Sequence, residues 1–195
     1  MFGTQPSDPA LAAVGLFQGH GTLDVLELGA GQGRDTLFFA QHGLRVRALD
    51  YAEEAVETIT IKACAVGLSE LVCSSRADVR EPLPFPDESF DACYSHMLFC
   101  MALTTPELEG LSKEVRRVLR PGGLCVFTVR TTDDAHYGAG IDRDDDMFEV
   151  GGFIVHFFGR SLVEHLTTGY ELLDLTEFEE GDLPRRLFRV TMRKV

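Results

Sequence analysis

The stretch of sequence that decides the fold is Val25-Leu26-Glu27-Leu28-Gly29-Ala30-Gly31-Gln32-Gly33-Arg34. An apolar run typical of a buried strand leads into a turn with glycine at every second position, and a helix-like stretch follows at once. Alternate glycines allow unusual backbone conformations and let a ligand approach the main chain, while the new helix offers unpaired N–H groups. The pattern predicts a ligand-binding turn between a strand and a helix.

Outward from this turn, strand-like and helix-like segments alternate. The predicted strands are 24–28, 44–49, 71–76, 90–94 and 124–129. The predicted helices between them are 34–42, 53–66 and 106–119. Two late strands, 170–178 and 186–195, are joined by a linker too short for a crossover helix, so we expect them to be antiparallel. The sequence therefore predicts an α/β fold with a doubly wound, mostly parallel seven-stranded sheet and a C-terminal antiparallel hairpin.

Length and charge limit the functions that this chain can have. Its 195 residues fit a single domain, 1–195, with an N-terminal segment at 1–22 and an insertion at 131–160. The formal net charge of −13 disfavours nucleic-acid and anionic-membrane partners, which attract basic proteins. No positively charged leader precedes an apolar segment, and no apolar run approaches ~18 residues. We therefore expect a cytoplasmic protein with no membrane partner.

The five cysteines indicate a reducing compartment. Their number is odd and they form no Cys-x-x-Cys pair, so neither a disulfide framework nor a metal site is predicted. Cys73, Cys93 and Cys125 lie in apolar, strand-like runs, where a buried free thiol is expected.

The acidic residues near the turn predict the kind of ligand. The dinucleotide pattern Gly-x-Gly-x-x-Gly fails, because Arg34 or Thr36 stands at its last position. Glu27 would repel a pyrophosphate and attract an amino group. Asp50 ends the second strand roughly 20 residues after Gly29, where a carboxylate can bind both hydroxyls of a ribose. These features predict a nucleoside that carries an amino acid and no phosphate, and S-adenosylmethionine fits that description.

On these motifs the sequence resembles the class I S-adenosylmethionine-dependent methyltransferases over residues 23–130, which implies a Rossmann-like fold. Residues 27–33 resemble the first motif of the family, 48–51 its ribose motif and 77–79 its adenine motif, and 83–91 and 117–123 resemble its later segments. The resemblance implies that Asp78 accepts from the exocyclic amine and that Val79 flanks the ring. The predicted cofactor-binding residues are Glu27, Gly29, Ala30, Gly31, Gly33, Arg34, Asp50, Tyr51, Asp78, Val79 and Ser95.

Residues 130–138 and 155–158 resemble the small-molecule branch of that family, which includes the type 11 and tellurite-resistance methyltransferases. The expected partner is therefore a small-molecule acceptor, whose identity the sequence leaves open. An alcohol or ammonium nucleophile needs a base, whereas a thiolate does not. The candidates for acceptor chemistry are His96 after the fourth strand and His136 and Tyr137 after the fifth.

Several other residues are weaker candidates, and other functions stay open. His156 is a candidate for lining the site and Cys100 for a soft ligand, while the acidic run 142–146 is predicted to be a solvated loop. A nucleic-acid or protein methyltransferase is a further alternative, although a nucleic-acid enzyme of the exocyclic-amine type is disfavoured, because the fourth strand ends in Tyr94-Ser95-His96-Met97 rather than Asn/Asp-Pro-Pro-Tyr/Phe. A non-catalytic protein that senses the cofactor is the main alternative, and an oxidoreductase is a distant one.

Overall fold

The computed structural model describes residues 5–181 and 185–195, in which strands and helices alternate. The helices are α1 (Asp8–Gly19), α2 (Arg34–Gln41), α3 (Glu53–Ala65), α4 (Thr105–Val118) and α5 (Arg160–Leu166). The strands are β1 (Asp24–Leu28), β2 (Arg45–Asp50), β3 (Val72–Arg76), β4 (Phe90–His96), β5 (Leu119–Arg130), β6 (Ile141–Asp142), β7 (Met147–Val150), β8 (Phe153–His156), β9 (Tyr170–Glu180) and β10 (Arg185–Lys194). Within these two ranges, no helix is both long and apolar enough to cross a membrane.

The main sheet has seven strands in the order β3-β2-β1-β4-β5-β10-β9. The first five strands run parallel, and β10 is antiparallel to both β5 and β9. Each parallel connection except that from β3 to β4 contains a helix, whereas β9 and β10 form a hairpin because their linker is short. The predicted fold class is confirmed.

Helices cover both faces of this sheet, which explains why its strands are apolar on both sides. Alternate residues of β1 enter two separate hydrophobic clusters, with Val25 in one and Leu26 and Leu28 in the other. The helix α1 covers the first cluster, and its N-terminus is capped by Ser7, whose hydroxyl accepts from the backbone N–H of Ala10. Because both faces of the sheet are packed, the carboxyl ends of the parallel strands form an open edge for a ligand.

The segment 131–160, for which the sequence predicted an insertion with a solvated loop at 142–146, contains a small antiparallel sheet, β6-β7-β8. Gly151 and Gly152 connect β7 to β8, and both have positive φ angles, 60° and 83°. A two-residue Gly-Gly connection with this geometry is a strong hairpin signal that our prediction overlooked. The acidic run 142–146 begins at the last residue of β6, continues through the β6–β7 connection and is exposed, as expected.

The cysteine prediction is right for two residues and wrong for one. Cys93 and Cys125 are fully buried on the neighbouring strands β4 and β5. Cys73 is exposed, because β3 is the edge strand of the main sheet and only part of its surface is covered. Cys64 is also exposed, and all five cysteines are free.

The tip of the C-terminal hairpin reaches the same edge of the sheet as the glycine turn. Leu187 of β10 pairs with Arg130, the last residue of β5. Beyond that pair the hairpin continues to Glu180, which pairs with Arg185. The tip therefore extends past the carboxyl end of β5, and Glu180 comes within 3.8 Å of Arg34 at the start of α2.

Candidate active site

A cavity of about 300 Å³ opens at the carboxyl edge of the parallel strands. The turns after β1, β2 and β3 and the segment after β4 form its walls. Its lining residues are Gly29, Leu49, Asp50, Tyr51, Ala77, Asp78, Val79, Arg80, Leu98, Met101, Ala102 and Leu103. Five of the predicted cofactor-binding residues belong to this lining: Gly29, Asp50, Tyr51, Asp78 and Val79.

The glycine turn has the left-handed backbone conformations that its glycines allow. Gly29, Gly31 and Gly33 have φ angles of 71°, 53° and 78°, a region that other residues adopt only at a cost. A Cβ on Gly29 would lie 2.9 Å from the Leu98 side chain. A Cβ on Gly31 would meet nothing within 4 Å, so the space above this residue is open. The turn therefore needs glycine for its conformation, and Gly31 faces free space.

Asp50 forms hydrogen bonds with both the glycine turn and the residue before α3. Its Oδ2 accepts a hydrogen bond from the backbone N–H of Gly31 at 2.7 Å, and its Oδ1 accepts from the N–H of Ala52 at 3.0 Å. An ionised carboxylate has about four acceptor positions, so two remain available. Asp50 lines the cavity with these bonds in place, as expected of an acceptor for ribose hydroxyls.

Asp78 is held by an arginine that our prediction did not include. The guanidinium of Arg80 donates to both carboxylate oxygens of Asp78, and the backbone N–H of Arg80 donates to Oδ1. These bonds lower the pKa of Asp78 to about 2, so its carboxyl group is ionised at neutral pH. Both side chains line the cavity, and Val79 lies between them in the sequence.

Glu27 lies on β1, two residues before Gly29, and is almost fully buried. Burial raises the pKa of its carboxyl group to about 8, and the neighbouring charge of Asp35 contributes in the same direction. The hydroxyl of Thr36 donates to its Oε2 at 2.5 Å, which opposes the increase in part. Glu27 is therefore largely protonated at neutral pH in the isolated protein, and a nearby cation would favour its ionised form.

The remaining predicted cofactor residues lie around the turn rather than in the cavity lining. Ser95 is fully buried, and its hydroxyl donates to the carbonyl of Leu28, so it joins β4 to β1. Ala30 is buried in the first cluster, the one that contains Val25. The N–H of Gly33 donates to the carbonyl of Ala30 and closes the turn. Arg34 begins α2, and its guanidinium lies near the Glu180 carboxylate.

His96 ends β4 and contacts residues from two other strands. Its Nδ1 lies 2.9 Å from the hydroxyl of Thr128 on β5. Its Nε2 lies 3.4 Å from the carboxylate of Glu180 at the tip of the β9–β10 hairpin. Glu180 also faces Arg34. The structure therefore brings together His96 and Arg34, which the sequence predicted as site residues, and Glu180, which it did not.

His136 and Tyr137 belong to a separate network that anchors the small sheet. Arg130 forms a buried ion pair with Asp134 and donates to Nδ1 of His136 at 2.9 Å. The hydroxyl of Tyr137 donates to Asp146 at 2.7 Å. Among residues 5–181 and 185–195, no hydrogen bond or ion pair joins His136 or Tyr137 to His96. The three residues predicted for acceptor chemistry are thus divided between two clusters.

The two weaker candidates are buried. Nδ1 of His156 lies 2.7 Å from the carbonyl of Leu103, a cavity residue, so His156 supports the wall of the cavity. Cys100 is fully buried, and burial raises the pKa of its thiol to about 11. A thiol with this pKa stays protonated at neutral pH, which makes Cys100 a poor soft ligand.

The polar groups of this region suit S-adenosylmethionine. The carboxyl groups of Asp50 and Asp78 line the cavity, Glu27 lies on β1 two residues before Gly29, and the space above Gly31 is open. Carboxyl groups can accept hydrogen bonds from the hydroxyls and amino groups of this cofactor, whereas they would repel a pyrophosphate. The residues present therefore fit the cofactor that the sequence predicts.

Comparison with known proteins identifies the family. A family model for the methyltransferase domain matches residues 26–127, just over half of the chain. A sterol 24-C-methyltransferase of Gibberella zeae is 33% identical over 181 residues, which cover 83% of this chain and 44% of that protein. The chain spans about half the length of the curated relatives it matches.

Solved structures agree with this assignment at the level of the fold. A SAM-dependent methyltransferase from Methanosarcina mazei has a TM-score of 0.75 and 23% identity, and the match covers 88% of this chain and 92% of that chain. The 1,6-didemethyltoxoflavin-N1-methyltransferase of Burkholderia thailandensis, solved with S-adenosylhomocysteine, also has a TM-score of 0.75, with 20% identity and coverage of 96% and 79%. The chain therefore belongs to the methyltransferase domain family.

Proposed function

We propose that this chain transfers the methyl group of S-adenosylmethionine to a small-molecule acceptor. The observation that carries this proposal is the cavity at the carboxyl edge of the sheet, where the glycine turn, Asp50 and Asp78 meet. The polar groups of each part match one portion of the cofactor. The three parts follow β1, β2 and β3, which are neighbouring parallel strands.

The adenosine portion is assigned to the turns after β2 and β3. Asp50 binds the ribose hydroxyls through the acceptor positions that Gly31 and Ala52 leave available. Asp78 accepts from the exocyclic amine of adenine, since its ionised carboxylate lines the cavity. Tyr51 and Val79 contribute cavity walls beside the ring.

The methionine portion is assigned to the glycine turn. Glu27 is the partner of the amino group, whose positive charge favours the ionised form of a carboxyl group that is otherwise protonated. Gly29, Ala30, Gly31 and Gly33 form the backbone cradle. Arg34, at the start of α2, is the partner of the methionine carboxylate of the cofactor. Its guanidinium group then interacts with both this carboxylate and that of Glu180.

The acceptor is assigned to the ends of β4 and β5. Methyl transfer from a sulfonium is an in-line displacement, so orientation and exclusion of water supply most of the catalysis. His96 faces the acceptor, and Leu98, Met101 and Leu103 give the cavity an apolar wall. His136 and Tyr137 hold the small sheet in place beside this region. The sterol methyltransferase among the relatives is consistent with an acceptor that has an apolar skeleton.

Titration calorimetry with S-adenosylmethionine and S-adenosylhomocysteine tests the first half of the proposal. We expect one site for each compound on the folded chain, and absence of binding by both would reject the function. A panel of alcohols, amines and thiols, with S-adenosylhomocysteine as the measured product, tests the second half. Binding without product from any acceptor would favour a non-catalytic sensor instead.

A further inference from the structure

Three elements that are distant in the sequence place polar side chains around one point. His96 ends β4, Arg34 begins α2, and Glu180 ends β9. The Glu180 Oε1 atom lies 3.4 Å from Nε2 of His96 and 3.8 Å from Nη2 of Arg34. The hairpin tip thus carries a carboxylate across the carboxyl edge of the sheet to the proposed acceptor region.

Two buried atoms in this cluster have no hydrogen-bond partner in the described part of the chain. They are Nε2 of His96 and Oε2 of Glu180, and neither is exposed to solvent. The His96 side chain is only 9% exposed. An unsatisfied buried polar atom typically costs about 1–3 kcal/mol, so such atoms in a native structure need a physical explanation. A polar group of a bound acceptor would satisfy both.

The contacts of Thr128 determine which nitrogen of His96 carries the hydrogen. Its hydroxyl oxygen already accepts from the backbone N–H of Met97 at 3.0 Å, and Thr128 is fully buried. Among the described residues, Nδ1 of His96, at 2.9 Å, is the acceptor within reach of the buried Thr128 hydroxyl hydrogen, so this hydroxyl donates to Nδ1. Neutral His96 then has its hydrogen on Nε2, the nitrogen that faces Glu180.

His96 and Glu180 thus present one donor and one acceptor side by side. A hydroxyl group complements this pair, because its oxygen can accept from Nε2–H while its hydrogen is donated to Oε2. A carboxylate has no hydrogen to donate, and an ammonium group has no lone pair with which to accept. We propose that His96 and Glu180 bind the reacting hydroxyl group of the acceptor and that Glu180 is the base for its methylation.

This inference rests on the proposed function and specifies the acceptor of the same site. Glu180 accepts the hydroxyl proton as the oxygen–carbon bond forms and the carbon–sulfur bond breaks, with the bonding pair staying on sulfur. Nε2–H of His96 stabilises the developing charge on the oxygen. The contact with His96 lowers the pKa of the Glu180 carboxyl group, and the charges of Arg34 and Arg185 act in the same direction, so the base is ionised at neutral pH.

The experiment compares Glu180→Gln with Glu179→Gln. Glu179 is the adjacent residue, is exposed and pairs with Arg186 at 3.5 Å, so it is a matched control. Each variant is assayed with pairs of acceptors that share a carbon skeleton and differ only in a hydroxyl or a thiol group. We expect Glu180→Gln to lower kcat for hydroxyl acceptors about 100-fold or more, the usual contribution of a general base. We expect thiol methylation, which needs no base, to change less than about threefold.

Three results would overturn this inference. They are an equal loss for hydroxyl and thiol acceptors, a loss of the same size in Glu179→Gln, and hydroxyl turnover by Glu180→Gln at the wild-type rate. A second measurement on the wild-type chain needs no turnover and no variant. The ring ¹⁵N shifts of His96 should show hydrogen on Nε2 in the neutral form, and hydrogen on Nδ1 would contradict the inference. Failure of the proposed function is seen separately, as absence of cofactor binding.

Discussion

The two halves of the candidate site are built in different ways. The cofactor half, the turns after β1, β2 and β3, consists of short contacts between consecutive βα units, such as that between Gly31 and Asp50. The acceptor half, the ends of β4 and β5 with the small sheet and the hairpin tip, depends on contacts between distant segments, such as that between His96 and Glu180. The cofactor half is therefore encoded locally, whereas the acceptor half exists only after the whole sheet has formed.

The largest effect is expected on the stability of the acceptor half. Asp134 is buried, pairs with Arg130, and accepts from the backbone N–H groups of His136 and Arg186. Asp134→Ala leaves Arg130 buried without this partner, so we expect the free energy of unfolding to fall by about 3–5 kcal/mol. Denaturant unfolding measures this change. The control is Asp133→Ala at the exposed neighbouring position, and an equal effect of both variants would reject the assigned role of the network.

The next effect concerns the cofactor half. Gly31→Val forces a branched side chain into a left-handed backbone conformation and into the open space above the turn. We expect S-adenosylhomocysteine to bind about 100-fold more weakly or worse, measured by calorimetry. Gly67→Val imposes similar backbone strain at φ 73°, away from the cavity. If both variants lost affinity to the same extent, general destabilisation rather than the turn would be responsible.

A smaller effect is expected from Asp50→Ala. This change removes a charged acceptor of the ribose hydroxyls and also frees the N–H of Gly31, so binding should weaken by about 1.5–3 kcal/mol. Calorimetry with S-adenosylhomocysteine measures the difference. Glu57→Ala on the exposed surface of α3 serves as the control and should bind normally. Unchanged affinity in Asp50→Ala would refute the ribose assignment.

The smallest effect is a pH-dependent change in stability at Glu27. The carboxyl group ionises near its ordinary pKa of 4.5 in the unfolded chain, whereas burial raises its pKa to about 8 in the folded protein. Between these values the unfolded state has already lost its proton, so ionisation favours unfolding and stability falls as pH rises. Glu27→Gln removes this loss and keeps an acceptor for Thr36. We expect a gain in stability at neutral pH and little change in acid, where both states of the wild-type chain are protonated.

Thermal unfolding across this pH range measures the gain, and calorimetry measures the cofactor affinity of the same variant. Affinity should fall although stability rises, because the ionised partner of the amino group is lost. Two results would contradict the role assigned to Glu27. The first is a stability difference between the variant and the wild-type chain that is the same at neutral pH and in acid. The second is a variant that binds the cofactor as tightly as the wild-type chain does.

The sequence predicted the cofactor half well because its signals are local. Strands, helices and the glycine turn follow from patterns within a few residues, and Asp50 follows from its place at the end of β2. Arg80 was missed, although an arginine two residues after a carboxylate is within easy reach of it. The hairpin β7–β8 was missed because its Gly-Gly connection was counted only as loop composition.

Glu180 could not have been found in this way. Nothing around it in the sequence resembles a site, and it is one of several acidic residues in β9. It meets His96 only because the register of β10 on β5 places the hairpin tip beyond the carboxyl edge. Such a contact depends on the pairing of distant strands, which a periodic pattern does not encode.

A crystal structure of the complex with S-adenosylhomocysteine would locate the cofactor relative to the cavity and to Asp50. We predict that the ligand lies in the cavity at the carboxyl edge, with the ribose hydroxyls within hydrogen-bond distance of Asp50 and the exocyclic amine within the same distance of Asp78. The sulfur should face the end of β4. A ligand bound elsewhere, or one whose ribose does not contact Asp50, would contradict the account.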